Sequence, residues 1–106
     1  MESALRALAE PRRREILRLV LDVERPAGDI ATYFDVTRPA ISQHLKVLKD
    51  AGLVTERRAG TRRFYRARPE GLADLRAFLS EFWDERLQLL ATEAEKEERR
   101  LQDGSG

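Results

Sequence analysis

TRPAISQHLKVLKDAG, residues 37–52, carries both ends of one helix and keeps the two faces of that helix chemically separate. Thr37 is of a type whose side-chain oxygen accepts from the free N–H groups of a first helical turn, and Pro39 falls where its ring costs no helical hydrogen bond. Gly52 supplies the left-handed conformation that closes a helix, so the element is predicted to end near Ala51, after about four turns or roughly 20 Å. Ile41, Leu45 and Leu48 recur at helical spacing as a narrow apolar stripe. The opposite face presents Arg38, Ser42, Gln43, Lys46 and Lys49, cationic and hydrogen-bonding side chains of the kinds that contact base edges and phosphates.

The segment that follows, LVTERRAGTRRFYRA, alternates and turns as a β-hairpin does, with Ala59-Gly60-Thr61 as its tip. Between Thr37 and Arg68 there are nine Lys/Arg against two acids, Asp50 and Glu56, a local balance of +7. Residues 1–36 balance to −1 and residues 69–106 to −5, so the whole-chain net charge of +1 hides a strongly uneven distribution. A polyanionic partner responds to the local balance, which makes the helix and the basic hairpin behind it the predicted footprint. Arg62 and Arg63 stand at the start of the second strand. Strand alternation puts Arg63, Tyr65 and Ala67 on one face and Arg62, Phe64 and Arg66 on the other, which favours Arg62, at the tip, for a phosphate or minor-groove contact. The same arginines also suit edge strands as charges that block aggregation.

Upstream, Ser3 is predicted to cap a short helix through Ala9, with Leu5 and Leu8 as its apolar positions. Pro11 opens a second, PRRREILRLVLD, with Ile16, Leu17, Val20 and Leu21 on one side. Arg12 to Arg14 suit either a DNA backbone or a solvated face. Arg25-Pro26 interrupts the pattern. A third helix, from Ala27 to about Phe34, places Ile30, Ala31 and Phe34 inward, and Asp35-Val36 connects it tightly to Thr37. Two short helices joined by a turn, the second polar outside, form a helix-turn-helix.

Downstream, Pro69 and Glu70 begin a long final helix. Leu72, Leu75, Leu79, Phe82, Trp83, Leu87, Leu90 and Ala94 continue its apolar face past what one small domain covers, over about 40 Å. Phe82 and Trp83 project about 100° apart, so one neighbouring surface does not bury both. One side is therefore expected as core and the other as a homodimer interface, formed by Phe82, Trp83, Leu87 and Leu90 with Leu5 and Leu8 of the first helix. The expected architecture is mainly α with a small β-hairpin, a winged helix-turn-helix of order α-α-α-α-β-β-α. Residues 1–101 read as one domain and the polar, glycine-rich residues 102–106 as a disordered tail.

The chain has 106 residues, no cysteine and one histidine. Disulfide and thiolate chemistry are thereby excluded, no signal peptide or membrane-length apolar run is visible, and a cytoplasmic protein is expected. No glycine-rich phosphate loop or nucleophile–base arrangement points to an enzyme, and no cofactor is expected. His44 has no second imidazole or thiolate ligand, so it reads as a structural hydrogen-bonding residue within the helix-turn-helix rather than a metal ligand or pH sensor.

LAEPRRREILRLV, TRPAISQHLKVLKDAGLV and GTRRFYRARPEGL, in that order, resemble the ArsR/SmtB family of winged-helix repressors, over a match from Ala4 to about Ala91. The resemblance implies a homodimer joined through its first and last helices, bound to a double-stranded DNA operator with an inverted repeat. The recognition-helix positions it carries over are Thr37, Arg38, Ser42, Gln43 and Lys46, with Arg62 and Arg63 in the wing. Metal-sensing members place cysteines near the helix that here begins at Ala27, or Asp, His and Glu ligands on the final helix. This chain reads RPAGDIA in the first region and has no histidine in the second, so it resembles a thiol-free branch without a metal site. Release of the operator is expected either through an unknown small-molecule effector near Trp83 or through protein concentration alone. The rival reading is a winged-helix protein-interaction module without DNA-binding activity.

Overall fold

The recognition-type helix forms as its caps dictate. In the computed structural model, which describes residues 1–83 and 85–104, α4 spans Arg38–Asp50, and the Ala40 N–H donates to Thr37 Oγ1 at 3.3 Å. Its far end is a Schellman closure. Gly52 has φ +77°, its N–H reaches the Lys49 carbonyl at 2.9 Å, and the Leu53 N–H reaches back to the Leu48 carbonyl at 3.0 Å. Leu48 and Leu53 on either side of this turn are fully buried, the apolar contact that accompanies such a closure.

Three helices precede it: α1 (Glu2–Ala9), α2 (Pro11–Leu19) and α3 (Ala27–Ala31). Two strands follow, β2 (Val54–Ala59) and β3 (Arg62–Ala67), joined at Gly60, whose φ of +64° makes the tight turn. Arg25–Pro26, expected only as an interruption, is a short strand, β1, pairing antiparallel with β3 through Arg25↔Tyr65 and Pro26↔Phe64. The hairpin is thus part of a three-stranded sheet of order β1-β3-β2. Proline is tolerated there because β1 is an edge strand, where a missing N–H breaks no ladder.

The chain divides into two compact units, Met1–Leu75 and Arg76–Gly106. The core of the first gathers Ala4, Ala7, Ile16, Leu17, Val20, Ile30, Ile41, Leu45, Leu48, Leu53, Val54, Tyr65, Ala67 and Leu75. Each large aliphatic side chain among them stabilises the fold by about 1.5–3 kcal/mol through burial. One expectation for α1 is corrected. Met1, not Ser3, takes the N-cap position, because Glu2 already belongs to the first turn. Ala4 and Ala7 are the buried positions while Leu5 is exposed, since α1 packs against α2 and α4 closely enough to want small side chains. On α2, Leu21 is likewise exposed, as the helix has ended at Leu19. The third helix is also shorter than expected, with Thr32, Tyr33 and Phe34 continuing as tight turns that donate to the carbonyls of Asp29, Ile30 and Ala31.

The single long final helix is not observed. Helix α5 (Pro69–Phe82) ends where the Trp83 N–H is shared between the carbonyls of Leu79 and Ser80, a tightened last turn, and α6 (Glu85–Gly104) begins anew. Within the second unit Phe78 and Phe82 meet edge to face at 5.0 Å. Of the expected tail from residue 102, helix α6 includes residues up to Gly104, and Ser105 and Gly106 lie outside the described residues.

Candidate nucleic-acid interface

The outer face of α4 and the inner face of the β2–β3 hairpin enclose one groove of about 760 Å³, reached on its far side by the start of α3. Arg38, Ser42, Gln43, Lys46, Arg62 and Arg63 all line it. Thr37 does not, because its hydroxyl is committed to capping α4. The stripe that points inward from the same helix, Ile41, Leu45 and Leu48, is buried, so the packing of one face fixes the display of the other.

Each cation is placed by a different neighbour. Arg38 lies over Gly28 of α3, a guanidinium nitrogen 3.5 Å from where a Cβ there would stand. Lys46 pairs with Asp50 one turn on, at 3.6 Å, with both groups well exposed. Arg62 rests on the Phe64 ring at 5.2 Å, and Arg57 lies 4.7 Å from the same ring while its guanidinium holds Glu24 in a forked pair. That bond draws the Glu24 carboxyl below its ordinary range. The strand alternation predicted for the wing holds, with Arg62 beside Phe64 and Arg63 beside Glu56. Both arginines still reach the groove, since Arg62 is the first residue after the turn.

Glu56 is the residue that sequence reasoning passed over. Its carboxylate accepts from the Tyr65 hydroxyl at 3.0 Å and lies 3.5 Å from Lys49 Nζ and 4.0 Å from Arg63 Nε. Burial pushes this carboxyl up, but the Tyr65 hydroxyl and the charges of Lys49 and Arg63 outweigh it and hold it below the usual range. Burial, reinforced by the bond to Glu56, raises the Tyr65 phenol. The cross-strand register Glu56↔Tyr65 was the available signal, since it follows once the hairpin tip is set at Gly60.

The arginines at the start of α2 are structural. Arg13 donates to the carbonyls of Ala7 at 2.6 Å and Arg6 at 3.3 Å, and Arg14 to that of Leu8 at 2.7 Å, closing the end of α1. Arg12 lies 5.0 Å from the Phe34 ring. His44 meets Arg13 Nη1 at 3.4 Å through Nδ1, the structural bond expected of it. Of the positions expected at a subunit interface, Leu5, Phe82, Trp83 and Leu90 are exposed, Trp83 at 66%, whereas Leu8 packs against the core and Leu87 is half-buried. Among the described residues no three His, Cys, Asp or Glu side chains are grouped to hold a metal ion, and no helix is long and apolar enough to cross a membrane.

A helix-turn-helix whose second helix shares a basic groove with a β-hairpin defines a winged helix-turn-helix domain. The chain matches the bacterial regulatory protein, arsR family, over residues 10–56. It is 49% identical over 82 residues to the HTH-type transcriptional regulator Rv2034 of Mycobacterium tuberculosis, a match covering 77% of each chain. To the transcriptional repressor SdpR of Bacillus subtilis it is 38% identical over 65 residues, 61% of this chain and 72% of that one. Among solved structures, the homodimeric winged helix-turn-helix DNA-binding domain of Mb0332 from Mycobacterium bovis aligns with a TM-score of 0.64 and 39% identity, covering 79% of this chain and 78% of that one. The chain belongs to the ArsR family of transcriptional regulators. Nothing in these likenesses supports the rival of a module that does not bind DNA.

Proposed function

We propose that this chain is a homodimeric repressor that occupies an inverted-repeat operator, each protomer reading one half-site. The observation that carries the reading is the convergence of six separately predicted residues, four from α4 and two from the wing, on one groove. Arg38, Ser42 and Gln43 near the start of α4 are assigned to base edges in the major groove, where an Arg fork matches guanine and a Gln amide matches adenine. Lys46 and Arg62 are assigned to phosphates, Arg62 from the wing tip, while Arg63 lines the groove beside Glu56. Phosphate contacts supply affinity on any sequence, and the three α4 side chains supply the preference.

The exposed apolar residues Leu5, Phe82, Trp83 and Leu90 are assigned to the dimer contact. The homodimeric state of the M. bovis domain supports this assignment. The name of the B. subtilis relative supports repression over activation. Site of action is the cytoplasm, with the chromosome. A chain with no cysteine and one histidine, itself bonded to Arg13, lacks the ligands that soft metal ions need, so release of the operator is assigned to a non-metal effector or to protein concentration alone.

The test is repeated selection from random duplex pools, followed by anisotropy titration of the winner at several salt concentrations and sedimentation of the complex. A dimer on two half-sites about one helical turn apart is the expected result. Sequence-blind binding, or a monomer on one half-site, contradicts it.

A further inference from the structure

Nine of the groove's lining side chains are cationic or neutral donors, and of the two acids among them, Asp50 and Glu56, Asp50 is exposed and Glu56 is partly buried. The Glu56 side chain is only 14% exposed, against 49% for Lys49 and 51% for Arg63, the two cations it draws in from α4 and β3. The Tyr65 hydroxyl, from the central strand, fixes one carboxylate oxygen at 3.0 Å. A single carboxylate therefore links the recognition helix to the wing across the floor of the groove.

We propose that Glu56 is the specificity-setting residue of this interface, withholding Lys49 and Arg63 from generic phosphates and fixing the wing at one distance from α4. The inference rests on the DNA-binding reading above and adds a role for an acid within it. Its charge is permanent near neutral pH, since its neighbours hold the carboxyl below the usual range. Sequence-blind binding grows with the number of phosphates neutralised, so two cations kept on an internal partner weaken attraction to every duplex alike. Contacts from Arg38, Ser42 and Gln43 are untouched by that pairing and count for more of the total. A fixed wing adds to the effect. A helix and hairpin that cannot slide apart do not adapt to a backbone of the wrong shape.

The experiment compares the full chain with Glu56→Gln on the selected operator and on a random duplex, by anisotropy across a salt series, with melting curves recorded alongside. Glutamine keeps an acceptor for Tyr65 and removes the charge. Random-duplex affinity is expected to rise on the order of tenfold, its log–log salt slope to steepen by about one to two units, and the operator-to-random ratio to fall. An unchanged random-duplex slope, or an equal gain on both duplexes that leaves the ratio intact, overturns the proposal. Lys49→Gln gives an arm that does not depend on how Glu56→Gln folds, since Lys49 is half exposed. Its loss is expected to flatten the slope by well under one unit, whereas Lys46→Gln, whose exposed pairing is weak, flattens it by about one. A full unit lost for Lys49→Gln overturns the proposal, because that lysine then already serves a phosphate. Should the unaltered protein bind neither duplex, the DNA-binding reading itself fails. Binding by the unaltered protein with no response to Glu56→Gln removes only the role of Glu56.

Discussion

Arg13 of α2 reaches His44 of α4 with one guanidinium nitrogen at 3.4 Å, while other nitrogens of the same group hold the Ala7 and Arg6 carbonyls at the end of α1. One side chain thus ties three helices together behind the recognition face. A guanidinium has no acceptor, so Nδ1 of His44 accepts and the neutral ring carries its proton on Nε2. Protonating the ring would set a second cation against Arg13 and break that bond.

The fold should therefore lose stability in mild acid. Burial, then the charges of Arg13 and Arg12, lower the His44 pKa below its ordinary 6.5, with Glu10 opposing. The unfolded chain consequently binds this proton at a pH where the folded chain does not. Stability from the neutral ring is complete above about pH 6.5 and falls as pH drops from there through the folded pKa. Melting temperature measured between pH 7.5 and 5 should decline for the natural chain and decline less for His44→Gln. Glu24 and Glu56, whose carboxyls are held low, contribute a separate loss that begins near pH 4.5 and lies below this window.

Gly71 is a second point of close approach. A Cβ there would fall on the Gly52 carbonyl, so the first turn of α5 sits against the closure of α4 only because position 71 is bare. Gly71→Ala gains helix propensity but overpacks this contact, and is expected to cost about 1–3 kcal/mol, read as a lower melting temperature. At Gly60, where nothing lies within 4 Å of the corresponding Cβ, the penalty of an alanine comes from its positive φ alone.

These two relationships mark how far the sequence could be read. Thr37, Gly52, the Ile41–Leu45–Leu48 stripe and the hairpin tip are local signals, legible because caps and periodicity act within a few residues, and six of the residues singled out from them line one groove. The Arg13 clamp reaches His44, remote in sequence, so no spacing announces it, and the Glu56 latch follows only once the hairpin register is worked through to Glu56↔Tyr65. The buried alanines of α1 escaped because side-chain size reads as core, whereas close helix packing selects small residues. The break at Trp83 escaped because the apolar pattern runs on through it.

Arg62→Ala at the wing should weaken binding to operator and random duplex by the same factor. The salt slope should flatten by about one unit, as for one lost phosphate contact. Anisotropy titrations on both duplexes at several salt concentrations check this, and a loss confined to the operator would move Arg62 to base reading.

Self-association should depend on exposed apolar side chains of the last helix. Leu90 is 62% exposed, so Leu90→Glu leaves the core of the first unit untouched while placing a charge in the assigned dimer contact. Sedimentation is expected to show monomer for Leu90→Glu and dimer for the natural chain, with operator affinity reduced accordingly. An unaltered dimer would remove Leu90 from the interface. The exposed indole of Trp83 lies in the same assigned contact, and a saturable change in its fluorescence with a candidate effector, coupled to weaker operator binding, would locate the ligand there.

The most direct measurement is the base-preference profile of Gln43→Ala and Arg38→Ala, taken over every single-base variant of the selected operator. Reading by the outer face of α4 predicts a loss of about 1–3 kcal/mol concentrated at one or two positions, repeated symmetrically in both half-sites, for a side chain that makes a good base contact. An equal loss at every position for both variants would contradict it, leaving α4 as one more source of sequence-blind charge.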